Sequence, residues 1–153
     1  MGNEAVIERL YEGLRTLDGD RMASCYTPGA RFRDPVFGDL TGEQVGGMWR
    51  MLTAGSTGVE VEVTEIAFEG DAGSARWVAH YTFTATGRPV VNRALARFRT
   101  VDGLIDEHID DFSFHAWAAQ ALGWTGRLFG WLPAFRNKLQ ARARRNLDRF
   151  LAG

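Results

Sequence analysis

The stretch Arg31-Phe32-Arg33-Asp34-Pro35-Val36 decides how this chain is interpreted, because it sets one carboxylate on an apolar strand that closes at Val36 or Phe37. Side chains along a strand point alternately to its two faces, so Asp34 shares a face with Phe32 and Val36. This apolar face predicts a carboxylate directed toward the protein interior. A buried carboxylate is costly unless it has a raised pKa, a hydrogen-bonding partner or a chemical role.

Helices are predicted on both sides of this strand. Apolar residues spaced three and four apart predict an amphipathic helix over residues 3–17. A short second helix is predicted to include Cys25 and Tyr26 and to end at Thr27-Pro28-Gly29. Beyond the strand, Thr41-Gly42-Glu43-Gln44 has the composition of a cap and first turn, and it predicts a third helix.

From residue 58 the hydrophobic period changes to two, which is typical of strands. Short glycine-containing turns separate the apolar runs and predict an antiparallel meander. The predicted strands cover residues 58–68, 75–86, 90–101 and 104–115, and the helices that follow cover residues 117–122, 124–132 and 133–151. The pattern therefore predicts an α+β fold with helices on one face of a curved sheet.

Composition limits the class of protein. With 153 residues, of which 45% are hydrophobic and 24% charged, the chain fits a single domain over 1–153, with a core at about 3–116 and a packed helical extension at about 117–152. A net charge of −1 argues against a nucleic-acid partner. Cys25 is the only cysteine, which excludes an intrachain disulfide and a multi-cysteine zinc site. No targeting or membrane-spanning pattern is found, so we expect a cytoplasmic protein.

Three motifs in order carry a resemblance to a known family. They are Tyr11-Glu12-Gly13-Leu14, Phe32-Arg33-Asp34-Pro35-Val36 and Asp102-Gly103-Leu104-Ile105. Together with the element order they resemble the nuclear transport factor 2-like superfamily, and within it the SnoaL-like polyketide cyclases and ketosteroid isomerases. The resemblance implies a cone-shaped, cystatin-like α+β barrel around a deep apolar pocket that takes a small hydrophobic molecule.

The same resemblance assigns roles to single residues. Asp34 matches the aspartate that shuttles protons in ketosteroid isomerases. The tyrosine that donates to the oxyanion in that family falls at Leu10 without a gap, or at Tyr11 with one. The second donor of the family, an aspartic acid, falls at Ala96. The resemblance thus implies the base but leaves the oxyanion site without its acid.

Strand alternation combined with the resemblance predicts which side chains line the pocket. The inward face of the last meander strand is expected to hold His108, Asp110 and Phe112, and the face of an earlier strand Trp77 and Tyr81. The candidate catalytic residues are Asp34, His108, Asp110 and Tyr11, and the candidate substrate-binding residues are Met48, Trp49, Trp77, Tyr81, Asn92 and Phe112.

These residue types fit acid/base chemistry. An apolar environment raises the pKa of Asp34 toward neutrality, as a general base requires, and a histidine beside a carboxylate forms an acid/base pair. We therefore expect an enzyme of the isomerase, cyclase, dehydratase or hydrolase kind that acts on a hydrophobic substrate. The sequence holds no phosphate loop, no nucleophile elbow and no metal motif, so we expect neither cofactor nor metal.

Other interpretations stay open at this point. Asp34 also fits a turn-capping aspartate or one paired with Arg31 or Arg33. His108 and Asp110 also fit a mutually satisfied pair that only fixes the core. The domain as a whole also fits a carrier of a hydrophobic ligand, or an interaction module that forms a homodimer through the outer sheet face.

The C-terminal segment is basic, whereas the body is acidic. From residue 124 onward seven arginine and lysine side chains stand against one acid, Asp148. The last helix fits three interpretations: packing on the cone or on a second subunit, a lid over the pocket, and a weak contact with a membrane surface.

Overall fold

The computed structural model describes residues 2–153, which form helices and one curved sheet. The helices are α1 (Glu4–Arg15), α2 (Gly19–Ala23), α3 (Glu43–Ala54), α4 (Phe114–Leu122), α5 (Trp124–Phe129) and α6 (Pro133–Ala152). The strands are β1 (Tyr26–Asp34), β2 (Gly38–Thr41), β3 (Val59–Glu69), β4 (Ala72–Phe83), β5 (Arg88–Val101) and β6 (Leu104–Asp111).

The sheet has the order β2-β1-β6-β5-β4-β3. The segment from β3 to β6 is the predicted antiparallel meander, and β1 joins it by pairing in parallel with β6. This pairing sets Phe32 beside His108, and His108 also lies opposite Phe98 on β5. The strand that carries Asp34 is therefore next to the strand that carries His108 and Asp110.

The prediction of a second helix through Tyr26 is wrong. Helix α2 ends at Ala23, and Tyr26 is the first residue of β1. The ladder between β1 and β6 is irregular between Tyr26 and Arg31, so Pro28, which has no N–H, lies where a regular bond is not required. A proline that suggested the end of a helix lies instead in an irregular strand.

Other boundaries also differ from the predictions. Strand β1 ends at Asp34 rather than at Val36 or Phe37, and β4 covers Ala72–Phe83 rather than residues 75–86. The short strand β2 was not predicted, because a single inward residue, Leu40, gives no alternation. Strand β6 ends at Asp111 rather than at residue 115, since the Ser113 hydroxyl accepts from Ala116 N at 3.1 Å and starts α4 at Phe114. Helix α5 ends at Phe129, three residues earlier than predicted.

The concave face of the sheet agrees with the predicted alternation. The inward side chains of β5 are buried from Val90 to Thr100 at every second position. Several inward side chains of β5 and β4 are small. Ala94 and Ala96 on β5, and Ala75 and Ala79 on β4, are each less than 10% exposed. Such side chains take little volume, so the large aromatic residues and the polar residues of the concave face fit between them and the helices.

Helix α6 packs along the body. Leu147 is fully buried, and a Cβ at Gly47 of α3 would collide with Leu151 of α6, so the two helices approach closely at this glycine. Gln140 Nε2 donates to Pro35 O at 2.9 Å, which connects α6 to the turn after Asp34. Within residues 2–153 no helix combines the length and apolar character needed to cross a membrane.

Candidate active site

Asp34 lies at the last position of β1, where the chain turns toward β2. Its Oδ1 accepts from Val36 N at 2.9 Å and from Phe37 N at 2.6 Å. It therefore caps the turn, as one alternative held. The ion-pair alternative is wrong, because Arg31 pairs with Glu107 and Arg33 pairs with Asp39. The carboxylate carries no arginine partner in the described chain.

Burial raises the pKa of the Asp34 carboxyl from 3.8 to about 7. The N–H group of Phe37 opposes this rise, the charge of Asp110 adds to it, and the N–H group of Val36 also opposes it. The residue keeps some exposed surface, so the acid is neither sealed in the core nor freely solvated. At neutral pH the group is poised between its protonated and ionised forms, as a proton-shuttling group requires.

This pKa predicts how stability depends on pH. The unfolded state releases the Asp34 proton near pH 3.8, whereas the folded state keeps it up to about pH 7, so the stability of the fold falls as the pH rises from 3.8 to about 7. Asp34→Asn keeps an oxygen for the two turn N–H groups but cannot ionise. Its stability advantage over the wild type is expected to grow by on the order of 3 kcal/mol between about pH 4 and about pH 8.

Urea unfolding of both proteins across this pH range measures the difference. Asp111→Asn, at an exposed position on the neighbouring strand, is the matched control and should show no comparable growth. A difference between Asp34→Asn and wild type that does not change with pH would contradict the raised pKa.

A chain of hydrogen bonds connects α3 to Asp110 through the concave face. Trp49 Nε1 donates to Tyr26 Oη at 2.9 Å, and Tyr26 Oη lies 2.8 Å from His108 Nδ1. His108 Nε2 lies 2.9 Å from Asp110 Oδ1, which also accepts from Trp77 Nε1 at 3.1 Å. His108 is fully buried, and Asp110 is 5% exposed.

The direction of these hydrogen bonds follows from which groups can donate and which can accept. The indole of Trp49 only donates, so the oxygen of Tyr26 accepts that bond and its own hydrogen is free for His108 Nδ1. When Nδ1 accepts that hydrogen, the hydrogen of the ring lies on Nε2, and the ring donates from Nε2 to the carboxylate of Asp110. Every donor in the chain has an acceptor, and all the bonds lead toward Asp110.

Two further tyrosines, Tyr11 and Tyr81, lie near the acids Asp110 and Asp34. The Tyr11 hydroxyl is buried and has no hydrogen-bond partner among the described residues. Burial raises its pKa well above 10.0, and the charge of Asp110 raises it further. Burial also raises the pKa of Tyr81, whose oxygen accepts from Trp117 Nε1 at 2.8 Å, and the charge of Asp34 adds to that rise. Both phenols therefore stay protonated and are available as hydrogen-bond donors.

The other predicted residues lie in three different places. Phe112 packs edge-on against Trp77 with ring centroids 6.4 Å apart, and so belongs to the wall beside Asp110. Met48 is buried in the main core on α3. Asn92 is buried on the inward face of β5, but it borders a separate cavity of about 270 Å³ between β5 and α4. No hydrogen bond in the described chain joins Asn92 to Asp34 or Asp110.

Sequence reasoning missed Tyr26 and Trp117 as members of this centre. Tyr26 was assigned to a helix, and it is 82 positions away from His108, to which it bonds. Trp117 lies in the C-terminal extension, where no pattern suggested contact with Tyr81. A strand assignment for residues 26–30 would have put Tyr26 on the same face as Phe32 and so identified it.

The curved sheet, the helices on its concave side and the acids between them define the class of this protein. It has the nuclear transport factor 2-like fold of the ketosteroid isomerase type. The family model described as a SnoaL-like domain matches residues 7–108, and the chain belongs to that family. The matched region contains Asp34 and His108, whereas Asp110 and the last three helices lie beyond it.

Solved structures show the same fold at low sequence identity. IdmH, a putative polyketide cyclase from Streptomyces antibioticus, is 24% identical with a TM-score of 0.66 and covers 78% of this chain and 98% of its own. A protein with a ketosteroid isomerase-like fold from Catenulispora acidiphila, in complex with trimethylamine, is 19% identical with a TM-score of 0.68 and covers 76% and 91%. An LEH-like epoxide hydrolase from M. tuberculosis is 18% identical with a TM-score of 0.65 and covers 87% and 94%. No curated protein is significantly similar in sequence.

Proposed function

We propose that the protein is an enzyme that moves protons on a small hydrophobic molecule by acid/base catalysis through its own side chains. Asp34 is the base, and Asp110 with His108 is the partner that supplies or orients the second proton. The reaction class is that of an isomerase, cyclase, dehydratase or epoxide hydrolase. The names of the structural neighbours, polyketide cyclases and an epoxide hydrolase, fall within this range.

One observation carries the proposal. A carboxyl with a pKa of about 7 lies close enough to Asp110 to be raised by its charge, and Asp110 ends a chain of hydrogen bonds that begins at Trp49. Two acids with different environments are the arrangement that separates a base from an acid in many active sites. Asp34 has no cationic partner, since Arg31 and Arg33 pair with Glu107 and Asp39, so no ion pair lowers its pKa.

The tyrosines supply the rest of the mechanism. When Asp34 takes a proton from a carbon next to a carbonyl, negative charge develops on the carbonyl oxygen and must be stabilised by a donor. The unpartnered hydroxyl of Tyr11 and the free hydrogen of Tyr81 are the candidate donors. Ala96 lies opposite Asp110, at the position where the related isomerases carry a second acid.

The test is hydrogen exchange into α-tetralone, a fused-ring ketone, in deuterated buffer, with deuterium uptake read by mass spectrometry. The wild-type protein is expected to accelerate exchange. Asp110→Asn retains an acceptor for His108 and Trp77 but removes the charge that raises the pKa of Asp34. We expect the pH midpoint of exchange to move to lower pH in Asp110→Asn and to stay in place in the exposed control Asp111→Asn.

The same assay also tests the second candidate function, that of a carrier. If α-tetralone and ketone, epoxide and enol analogues bind without any accelerated exchange or turnover, the protein is a carrier. One observation favours that second function: Oδ1 of Asp34 is already held by two backbone N–H groups, as in a structural turn. The exchange assay separates the two functions because a carrier binds these probes but leaves their hydrogens in place.

A further inference from the structure

The five tryptophans divide into two sets. Trp49, Trp77 and Trp117 lie inside, and each indole N–H donates to a side chain of the candidate site. The other two, Trp124 and Trp131, are 68% and 65% exposed and make no contribution to that site. Large aromatic residues with this much exposed surface mark an interaction surface.

The exposed tryptophans lie at the start of α5 and just beyond its end. Trp124 and Leu128 are four residues apart in α5, which puts them on one helical face, and Trp131 follows two residues after the helix ends at Phe129. Leu128 is 54% exposed, and Trp131 Nε1 donates to Leu128 O at 2.9 Å, so the ring is held against the end of the helix. We call these three side chains, together with the 43% exposed Phe129, the α5 patch.

The C-terminal segment that contains this patch is rich in cations. Six positively charged side chains of α5 and α6 are exposed, and none of them forms an ion pair within residues 2–153: Arg127, Arg136, Lys138, Arg142, Arg145 and Arg149. The segment that holds them contains a single acid, Asp148, whereas the rest of the chain carries an acidic excess. The charge of this end of the molecule is therefore complementary to an anionic surface.

We propose that the α5 patch and the cations of α6 form a docking surface for an anionic lipid membrane. Tryptophan is favoured at the boundary between headgroups and acyl chains, and arginine and lysine are attracted by anionic headgroups. Apolar side chains on one short helix beside a basic helix are typical of segments that lie in the membrane interface. The protein as a whole remains on the surface and inserts only the α5 patch.

The experiment is co-sedimentation of the full chain with vesicles of phosphatidylcholine, with or without about a third phosphatidylglycerol. We expect binding to the anionic vesicles, little binding to the neutral ones, and weakening when salt is raised from about 0.05 M to about 0.5 M. The emission of the exposed tryptophans should shift to shorter wavelength on binding, which reports insertion without any mutation.

Matched variants test whether binding depends on the α5 patch itself or on the overall hydrophobicity and charge of the protein. W124S combined with W131S is expected to weaken binding about tenfold or more, whereas L52S combined with V101S, two residues that are 41% and 46% exposed elsewhere, leaves it unchanged.

Variants of the α6 cations are compared in the same way with variants of cations elsewhere on the surface. R136Q, R142Q and R145Q together are expected to weaken binding about tenfold or more, and R93Q, R97Q and R99Q, exposed on the outer sheet face, have the same charge change and little effect.

Three results would overturn the proposal. The first is absence of binding to anionic vesicles. The second is an equal loss of binding in the sheet-face variant, which would reduce the effect to net charge. The third is a dimer in light scattering that becomes a monomer in the W124S and W131S protein without any vesicle binding, because the patch would then be covered by a second copy of the chain.

Discussion

Asp34→Asn is expected to lower the rate of α-tetralone exchange by roughly a hundred- to ten-thousand-fold, the range of a lost general base. The amide has the shape of the carboxyl, and its oxygen can still accept from Val36 N and Phe37 N, so the turn after β1 keeps its hydrogen bonds. What the amide cannot do is accept and release a proton near neutral pH. The loss is therefore expected in turnover and not in binding of the ketone.

Asp39→Asn is the matched control for this prediction. Asp39 lies five residues away on β2, its side chain is 71% exposed, and it pairs with Arg33 on the outer face. The control is expected to retain the wild-type exchange rate within about twofold, since weakening an exposed ion pair changes stability by at most about 1 kcal/mol. An Asp34→Asn protein with an unchanged exchange rate would remove Asp34 from the mechanism.

His108→Ala is expected to lower the free energy of unfolding by about 3–5 kcal/mol. The imidazole is fully buried, and its ring centroid lies 4.5 Å from that of Phe98 and 5.0 Å from that of Phe32, so truncation leaves a cavity. It also leaves the hydroxyl of Tyr26 without its acceptor and Asp110 without its histidine donor. Both costs act together because the ring is at once a packing element and the middle of the hydrogen-bond chain.

His80→Ala provides the comparison, because His80 is exposed on β4 and points away from the concave face. Its effect is expected to stay within about 0.5 kcal/mol. Urea unfolding measures both variants under the same conditions. A cost for His108→Ala as small as that for His80→Ala would show that the buried chain contributes nothing to the folded state.

The meander and its inward face could be predicted because their signals are local. Val59, Val61 and Val63 alternate with polar residues, and the same period of two on β5 identifies the buried side chains from Val90 to Thr100. Strand alternation also placed His108 and Asp110 two positions apart on one face, where the structure joins them by a hydrogen bond. The alternation of apolar and polar residues along a strand can be detected in a single sequence, because it repeats every two residues.

The partners of the site could not be predicted because they depend on the tertiary arrangement. Tyr26 bonds to His108 across the parallel pairing of β1 and β6, and no local pattern in the sequence specifies that register. Pro28 also misled the prediction, because a proline near a strand bulge has the same local pattern as one after a helix. The two hydrogen bonds to Asp34 lie in the turn between β1 and β2, and β2 has no alternation from which that turn could be predicted.

The most direct test of a proton-moving role for Asp34 is the pH profile of α-tetralone exchange by the wild-type protein, measured beside Asp34→Asn. A base acts in its ionised form, so the wild-type rate is expected to rise with pH and to level off above a midpoint near the Asp34 pKa of about 7. The Asp34→Asn profile is expected to be low and without this midpoint. A wild-type rate that equals the uncatalysed rate at every pH, or a midpoint near 7 that persists in Asp34→Asn, would contradict the account.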